Sequence, residues 1–183
     1  MNRNSVISLI CQCSLLCSTE IYAESLDDNF SDDGYRISNI RSPVPESAEF
    51  AHTISALSIK KFLEQSKPLT LIDVYPLTWF EGMFFHTEEH MGIPTSLWLP
   101  NVGLGEIDTR THTYFLTHLK QQSPNKKQPL IFYCRTDCWM SWNAAKRARE
   151  MGYQNLYWYR EGIDDWIFRD LPIVPLTPAP IQP

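Results

Sequence analysis

The chain lacks most of the signatures by which a sequence declares a common activity. It has no Gly-rich phosphate loop, no G-x-S-x-G nucleophile turn and no internal repeat. Those absences remove backbone-cradled nucleotides, the common serine-hydrolase turn and solenoid architectures. Positive charge is short as well. Against 21 Asp and Glu stand 16 Lys and Arg, a formal net charge of −5. Nucleic acid and anionic membrane therefore gain no electrostatic support as partners. Past the N-terminus no apolar run approaches the ~20 residues of a membrane span. Cysteine is sparse, 5 in 183 residues, and Cys11, Cys13 and Cys17 fall at the start. What the chain does have is 43% hydrophobic and 13% aromatic residues, enough for one domain with a real core.

Residues 1–23 read as a secretory signal peptide. Arg3 supplies a basic start, Val6 to Cys17 is mostly apolar and too short to cross a bilayer, and Ala23 is a small residue at a cleavage point before Glu24. The alternative is a buried N-terminal strand. The residues ahead of the early cysteines are not those of a lipidation site. Cleavage leaves two thiols, Cys134 and Cys138, in an oxidising compartment. Residues 24–49 form an acidic arm with Asp27-Asp28, Asp32-Asp33, Pro43 and Pro45, read as extended and solvated. Residues 50–176 carry the fold, and 177–183 form a Pro-rich tail.

Within the folded part the hydrophobic period alternates. Thr53 or Ser55 caps a predicted helix over 57–65, and Asp108 caps another over 109–122. Short apolar runs at 69–74, 93–100, 130–133 and 155–159 read as strands, and 76–89 as an aromatic-rich loop. A helical turn at Gly162 to Phe168 and the stretch from Leu171 to Pro175 close the domain. Strands alternating with helices predict an α/β fold, a central mostly parallel sheet with helices on both faces. In such sheets, sites lie at the carboxyl ends of strands.

The chemistry concentrates after the strand at 130–133, in Cys134-Arg-Thr-Asp-Cys138-Trp139 and a helix opening at Ser141. A thiol between a strand tip and a helix N-terminus is biased toward thiolate. Cys134 is the expected nucleophile, accepting sulfur as a persulfide or attacking a disulfide; its plain alternative is an inert buried thiol. Cys138 is the expected resolving thiol, closing an intraloop disulfide with Cys134; its alternative is a purely structural bond. Arg135, Thr136, Asp137, Trp139, Met140 and Ser141 are the expected substrate contacts, with Trp139 placed to shield the thiols or stack on a planar redox cofactor. Asp73, ending its strand, is expected to orient loop backbone. His86 and His90, four apart, match a metal-ligand spacing but read better as solvent-exposed side chains, so no metal is expected.

The order Leu71-Ile-Asp73-Val, Ile93-Pro94, Ile131-Phe-Tyr-Cys134-Arg135, Ala144-Ala145, Met151-Gly152-Tyr153, Glu161-Gly162-Ile163 and Trp166 before Leu171-Pro172 resembles a rhodanese domain. A narrower set is similar to the secreted CXXCW-motif proteins associated with pyrroloquinoline-quinone (PQQ)-dependent catabolism. It comprises Gly34-Tyr-Arg36, Leu97-Trp98-Leu99-Pro100-Asn-Val-Gly103, Cys134-x3-Cys138-Trp139 through Arg147, and Tyr157-Trp-Tyr159. The resemblance implies a periplasmic setting, persulfide or thiol-redox chemistry, a small sulfur donor or thiol acceptor, and a quinoprotein dehydrogenase system as partner. A non-catalytic accessory module that binds a redox cofactor, a metal or that dehydrogenase is the other function it allows. The loop departs from ordinary rhodaneses: no glycine occurs between Cys134 and Gly152, and Arg135 is its only cation. An inorganic anion such as thiosulfate would meet few positive partners there.

Overall fold

The structure, a computed structural model, describes residues 28–66, 68–85 and 87–181. The expected signal peptide, its three cysteines and His86 lie outside the described residues. In chain order the elements are β1 (His52–Thr53), α1 (Ala56–Glu64), β2 (Thr70–Asp73), β3 (Thr78–Phe80), β4 (Met83–Phe85), β5 (His90–Gly92) and β6 (Leu97–Trp98). Then follow α2 (Thr109–Gln122), β7 (Leu130–Tyr133), α3 (Trp139–Glu150), β8 (Leu156–Tyr159), α4 (Gly162–Phe168) and β9 (Val174–Leu176).

Five strands form one parallel sheet in the order β1-β8-β7-β2-β6. The strands read as continuous apolar runs because both their faces are covered. Along β7, Leu130 and Phe132 join the cluster made with Phe115 and Leu119 of α2 and Ala144 and Ala148 of α3. Ile131 and Tyr133 face the other way, toward Ala56 and Ile59 of α1 and Ile163 and Trp166 of α4. This is the expected sheet with helices on both faces.

Both anticipated caps form. Ser55 accepts the Ser58 N–H at 3.3 Å and Asp108 the Thr111 N–H at 2.8 Å. The aromatic loop differs from expectation: β3 and β4 make a hairpin, Thr78 opposite Phe85 and Phe80 opposite Met83. Its turn residues Glu81 and Gly82 both have positive φ, 46° and 87°, as a tight two-residue hairpin turn requires. The strand expected over 93–100 shrinks to Leu97–Trp98, since Pro94 and Pro100 have no N–H to give a ladder. The described part of the Pro-rich tail is docked: the Ala179 N–H donates to Trp98 O at 2.9 Å, and the Tyr114 hydroxyl to Ala179 O at 3.0 Å.

The acidic arm is the larger surprise. Tyr35, Arg36 and Val44 are buried, so this stretch lies against α3 instead of in solvent. Asn143, wholly buried, clamps it: its amide oxygen accepts the Arg36 N–H at 3.0 Å, and its NH2 donates to Arg36 O at 2.9 Å and Gly103 O at 3.0 Å. One turn on, the buried Arg147 guanidinium donates to the carbonyls of Val102, Leu104 and Gly105, under the Tyr35 ring. Among the described residues no helix is long and apolar enough to cross a membrane.

Candidate active site

β2 and β7 are neighbours in register, Asp73 beside Tyr133. From β2 the chain continues to β6 on one side, and from β7 to β8 on the other, so strand order reverses between them. That switch point is where open α/β sheets place their sites. Asp73 and Cys134 stand at its two carboxyl ends.

The loop after Cys134 turns back at Asp137, whose φ of 51° is left-handed. Aspartate tolerates that conformation better than most residues, and here it takes the turn a glycine would make. Helix α3 begins at Trp139, two residues before the predicted start at Ser141. Its N-cap is therefore Cys138. The two sulfurs lie 2.9 Å apart as free thiols.

This geometry reverses the expected acidity. Cys138 is lowered to about 6, through its hydrogen bond with Cys134 against the cost of burial, with backbone N–H groups of Met140 and Arg135 aimed at it and Arg41 nearby. Cys134 is pushed well up by burial, by sharing a proton with Cys138 and by the Asp73 carboxylate. Cys138 is the lowered thiol chiefly through Cys134 itself, and because the helix starts two residues early the Met140 N–H of its first turn adds to Cys138 rather than to Cys134.

The loop is held from the α4 side. Ile163 N–H donates to Cys134 O at 2.9 Å, Thr136 N–H to Asp164 Oδ2 at 2.9 Å, and the Thr136 hydroxyl to Glu161 O at 2.5 Å. Arg135 pairs with Asp164 at 3.4 Å, which raises its basicity further. Gly162, φ 62°, touches the loop so closely that a Cβ there would sit 2.6 Å from Cys134 O.

From the other side the arm covers it. Trp139 donates its backbone N–H to Ile40 O and its indole N–H to Ser42 Oγ, both at 3.0 Å. Arg41 bridges to Cys138, and the Arg36 guanidinium lies 4.9 Å over the Trp139 ring. Both sulfur-bearing residues are consequently only 2–3% exposed. The Trp139 ring, expected to shield the thiols or to stack on a planar cofactor, is buried and packed against Phe30, Trp142 and the Arg36 guanidinium. Met140 and Ser141 are not substrate contacts. They are buried in the first turn of α3, Met140 against Gly103, and Ser141 accepts the Trp158 indole N–H at 3.0 Å. Arg135 and Thr136 remain exposed and Asp137 half-buried.

Asp73 is buried and serves two partners, the Tyr75 N–H at 2.8 Å and His90 Nε2 at 2.9 Å. It thus orients backbone beyond its own strand. His90 is not solvent-exposed as expected: it lies on β5, stacked on Tyr75 and against Trp98. Among the described residues no group of three or more His, Cys, Asp or Glu could hold a metal. A cleft of about 390 Å³ opens beside the loop, between the chain after β2, the hairpin and α4; Tyr75, His90, Trp98, Arg135 and Asp164 line it.

Sequence reasoning missed Ile40, Arg41 and Ser42. The signal that could have found the arm was Gly34-Tyr-Arg36, an aromatic and a cation set in an otherwise acidic stretch.

The model of the family described as "Rhodanese-like domain" matches residues 55–168. No curated protein matches the chain. Among solved structures, thiosulfate sulfurtransferase from Pseudomonas aeruginosa aligns with a TM-score of 0.50 at 12% identity, over 70% of this chain and 21% of that one. The anaerobic ergothioneine biosynthesis enzyme from Chlorobium limicola, solved with trimethyl histidine, aligns with a TM-score of 0.50 at 22% identity, over 76% of this chain and 34% of that one. This chain thus spans a minor part of either protein, and the likeness is one of fold.

Proposed function

The chain belongs to the rhodanese-like domain family, and from that premise we propose that it carries sulfur as a persulfide, or exchanges thiols, at Cys134 and Cys138. The observation that carries this reading is the pair itself: two thiols in contact at a strand tip, one of them a helix N-cap. In the resting pair one proton suffices for two sulfurs. Passing it from Cys134 to the Cys138 thiolate frees Cys134 to attack the outer sulfur of a sulfane donor. The donor S–S bond breaks, the leaving thiolate departs with the electron pair, and Cys134 becomes a persulfide. An acceptor thiolate can then take the outer sulfur and regenerate Cys134. Alternatively Cys138, deprotonated, attacks the inner sulfur and expels hydrosulfide; the sulfurs close to about 2.05 Å and form the intraloop disulfide.

Arg135 and Thr136, the exposed loop residues, are the substrate contacts in this scheme. With Asp164 already on Arg135, an inorganic oxyanion is poorly served, and an organic sulfane donor is the better fit. The setting we propose is the periplasm, after removal of residues 1–23, in support of PQQ-dependent alcohol catabolism beside a quinoprotein dehydrogenase, as the CXXCW resemblance implies. The burial of both thiols favours one second reading, an accessory module that binds such a dehydrogenase or its cofactor without turnover.

Intact-mass analysis of the mature protein before and after a sulfane donor tests the choice. One added sulfur on Cys134, removable by a thiol, is the expected result. A mass unchanged by donor, in protein whose thiols are reduced, supports the accessory reading.

A further inference from the structure

The cleft beside the cysteine loop has walls that extend well beyond it. Among the described residues eight large apolar side chains are exposed, and four of them belong to these walls: Phe80 at 60%, Met83 at 63% and Phe85 at 55% on the hairpin, and Ile167 at 48% on α4. The arrangement follows from strand alternation. Trp79 and Phe84 point inward, toward Arg110 and Tyr114, so Thr78, Phe80, Met83 and Phe85 share the outward face. Thr78 and Phe85 of that face line the cleft, and Ile167 lines it from α4. Apolar exposure concentrated in this way marks an interaction surface.

We propose that this cleft docks a basic, apolar segment of another protein, one that presents a thiol or persulfide to the cysteine loop; the thiol part rests on the sulfur-transfer reading above. Size argues for a polypeptide. The apolar face runs from the cleft to the tip of the hairpin, a strand length of roughly 10 Å past the loop by ~3.3 Å per residue, and a small thiol has no use for that reach. Charge selects which polypeptide. Among the described residues Glu88, Glu89 and Asp164 line the cleft against Arg135 as its one Lys or Arg, which Asp164 already pairs, and the chain as a whole is acidic. A second copy would bring the same acids against themselves across a two-fold contact, and an anionic bilayer would be repelled. Lysine or arginine flanking an apolar stretch meets both features.

Two fluorescent eight-residue peptides test this with the full mature chain, each carrying one cysteine in an apolar centre, flanked by lysines in one and glutamates in the other. By anisotropy the lysine peptide is expected to bind about 10-fold tighter at low salt. Phe85→Ser and Ile167→Ser should each weaken it by about 3-fold or more. Glu89→Lys should shift the preference toward the glutamate peptide. These side chains lie at the surface, and thermal melts of the variants confirm that they fold. Equal affinity of the two peptides, or undiminished binding by both serine variants, overturns the proposal. So does sedimentation showing a dimer that Phe85→Ser dissociates, or capture of the chain by anionic vesicles. Sulfur uptake from a small donor, read by mass in the same samples, is independent: its absence overturns the sulfur-transfer reading and leaves the docking surface standing.

Discussion

The two flanks of the cysteine loop are built on opposite plans. On the arm side the chain seals itself: Ile40, Arg41 and Ser42 lie over Cys138 and Trp139, and Asn143 fastens Arg36 with two hydrogen bonds and Gly103 with a third. On the cleft side the same loop stands open, with Arg135 at the edge of a cavity and exposed apolar walls. The acidic thiol is on the sealed flank. Chemistry between Cys134 and Cys138 therefore needs only the two sulfurs to close on each other, whereas a bulky reagent reaches Cys138 only when the arm lifts. Concealing a thiolate from solvent while leaving its loop approachable from one side restricts which partners it meets.

The sharpest way to break this contrast is at the sulfurs. Cys134→Ser should abolish persulfide loading, a loss on the order of 10³-fold or more, as removal of a covalent nucleophile gives. Cys138→Ser should slow loading, because the thiolate that takes the Cys134 proton is lost, and should protect the persulfide that does form from release as hydrosulfide, since no disulfide can form. Intact mass and single-turnover rates read both, and equal losses would remove the division of labour.

The next effect is on the seal. Asn143→Ala leaves a buried N–H and two carbonyls without partners and should cost about 2–3 kcal/mol in urea unfolding. It should also speed alkylation of the thiols by a bulky maleimide. If the unaltered chain already reacts as fast as the unfolded one, the arm is no seal.

A pH series sharpens the difference between the thiols. Cys138 is depressed in the folded state, so its stabilising contribution is complete above the unfolded value of about 8.5 and is lost as pH falls through about 6. Cys134 is raised, so its contribution is complete below the unfolded value and is lost as pH climbs toward the folded one. The stability deficit of Cys138→Ser relative to the unaltered chain should accordingly shrink between pH 9 and pH 5, as read from urea midpoints. A deficit that grows on acidification would reverse the assignment.

The smallest effect belongs to the open flank. The Arg135–Asp164 pair is half exposed, so Arg135→Gln should change unfolding free energy by less than about 1 kcal/mol. A larger change would mean that the cleft edge supports the fold.

The parts legible in the sequence were those governed by local chemistry. Asp108 announced α2 to the residue, and the apolar run 130–133 is β7, because a cap and a doubly buried strand each leave a local pattern. The hairpin was hidden by its length, three residues a strand, although Gly82 marked its turn. The start of α3 was misplaced because cysteine is a poor cap by propensity, and only the tertiary setting of the loop puts it there. The arm was illegible for another reason: Tyr35, Arg36 and Val44 are scattered among acids, and their burial depends on α3, more than a hundred residues away. The candidate site was thus half visible. The sulfurs and their order could be read, but which sulfur is acidic, and what covers it, could not.

Gly162 has a consequence for how this sequence can drift. With φ at 62° and Cys134 O and Arg135 C within 2.7 Å of where a methyl would stand, the position is closed to every side chain. Saturation of that codon, under selection for the folded protein, should return glycine alone. Ile167, 48% exposed and five residues on, should vary freely under the same selection and become fixed only when a docking partner is included in the screen. The two codons would then report separately on the integrity of the loop and on the use of the surface beside it.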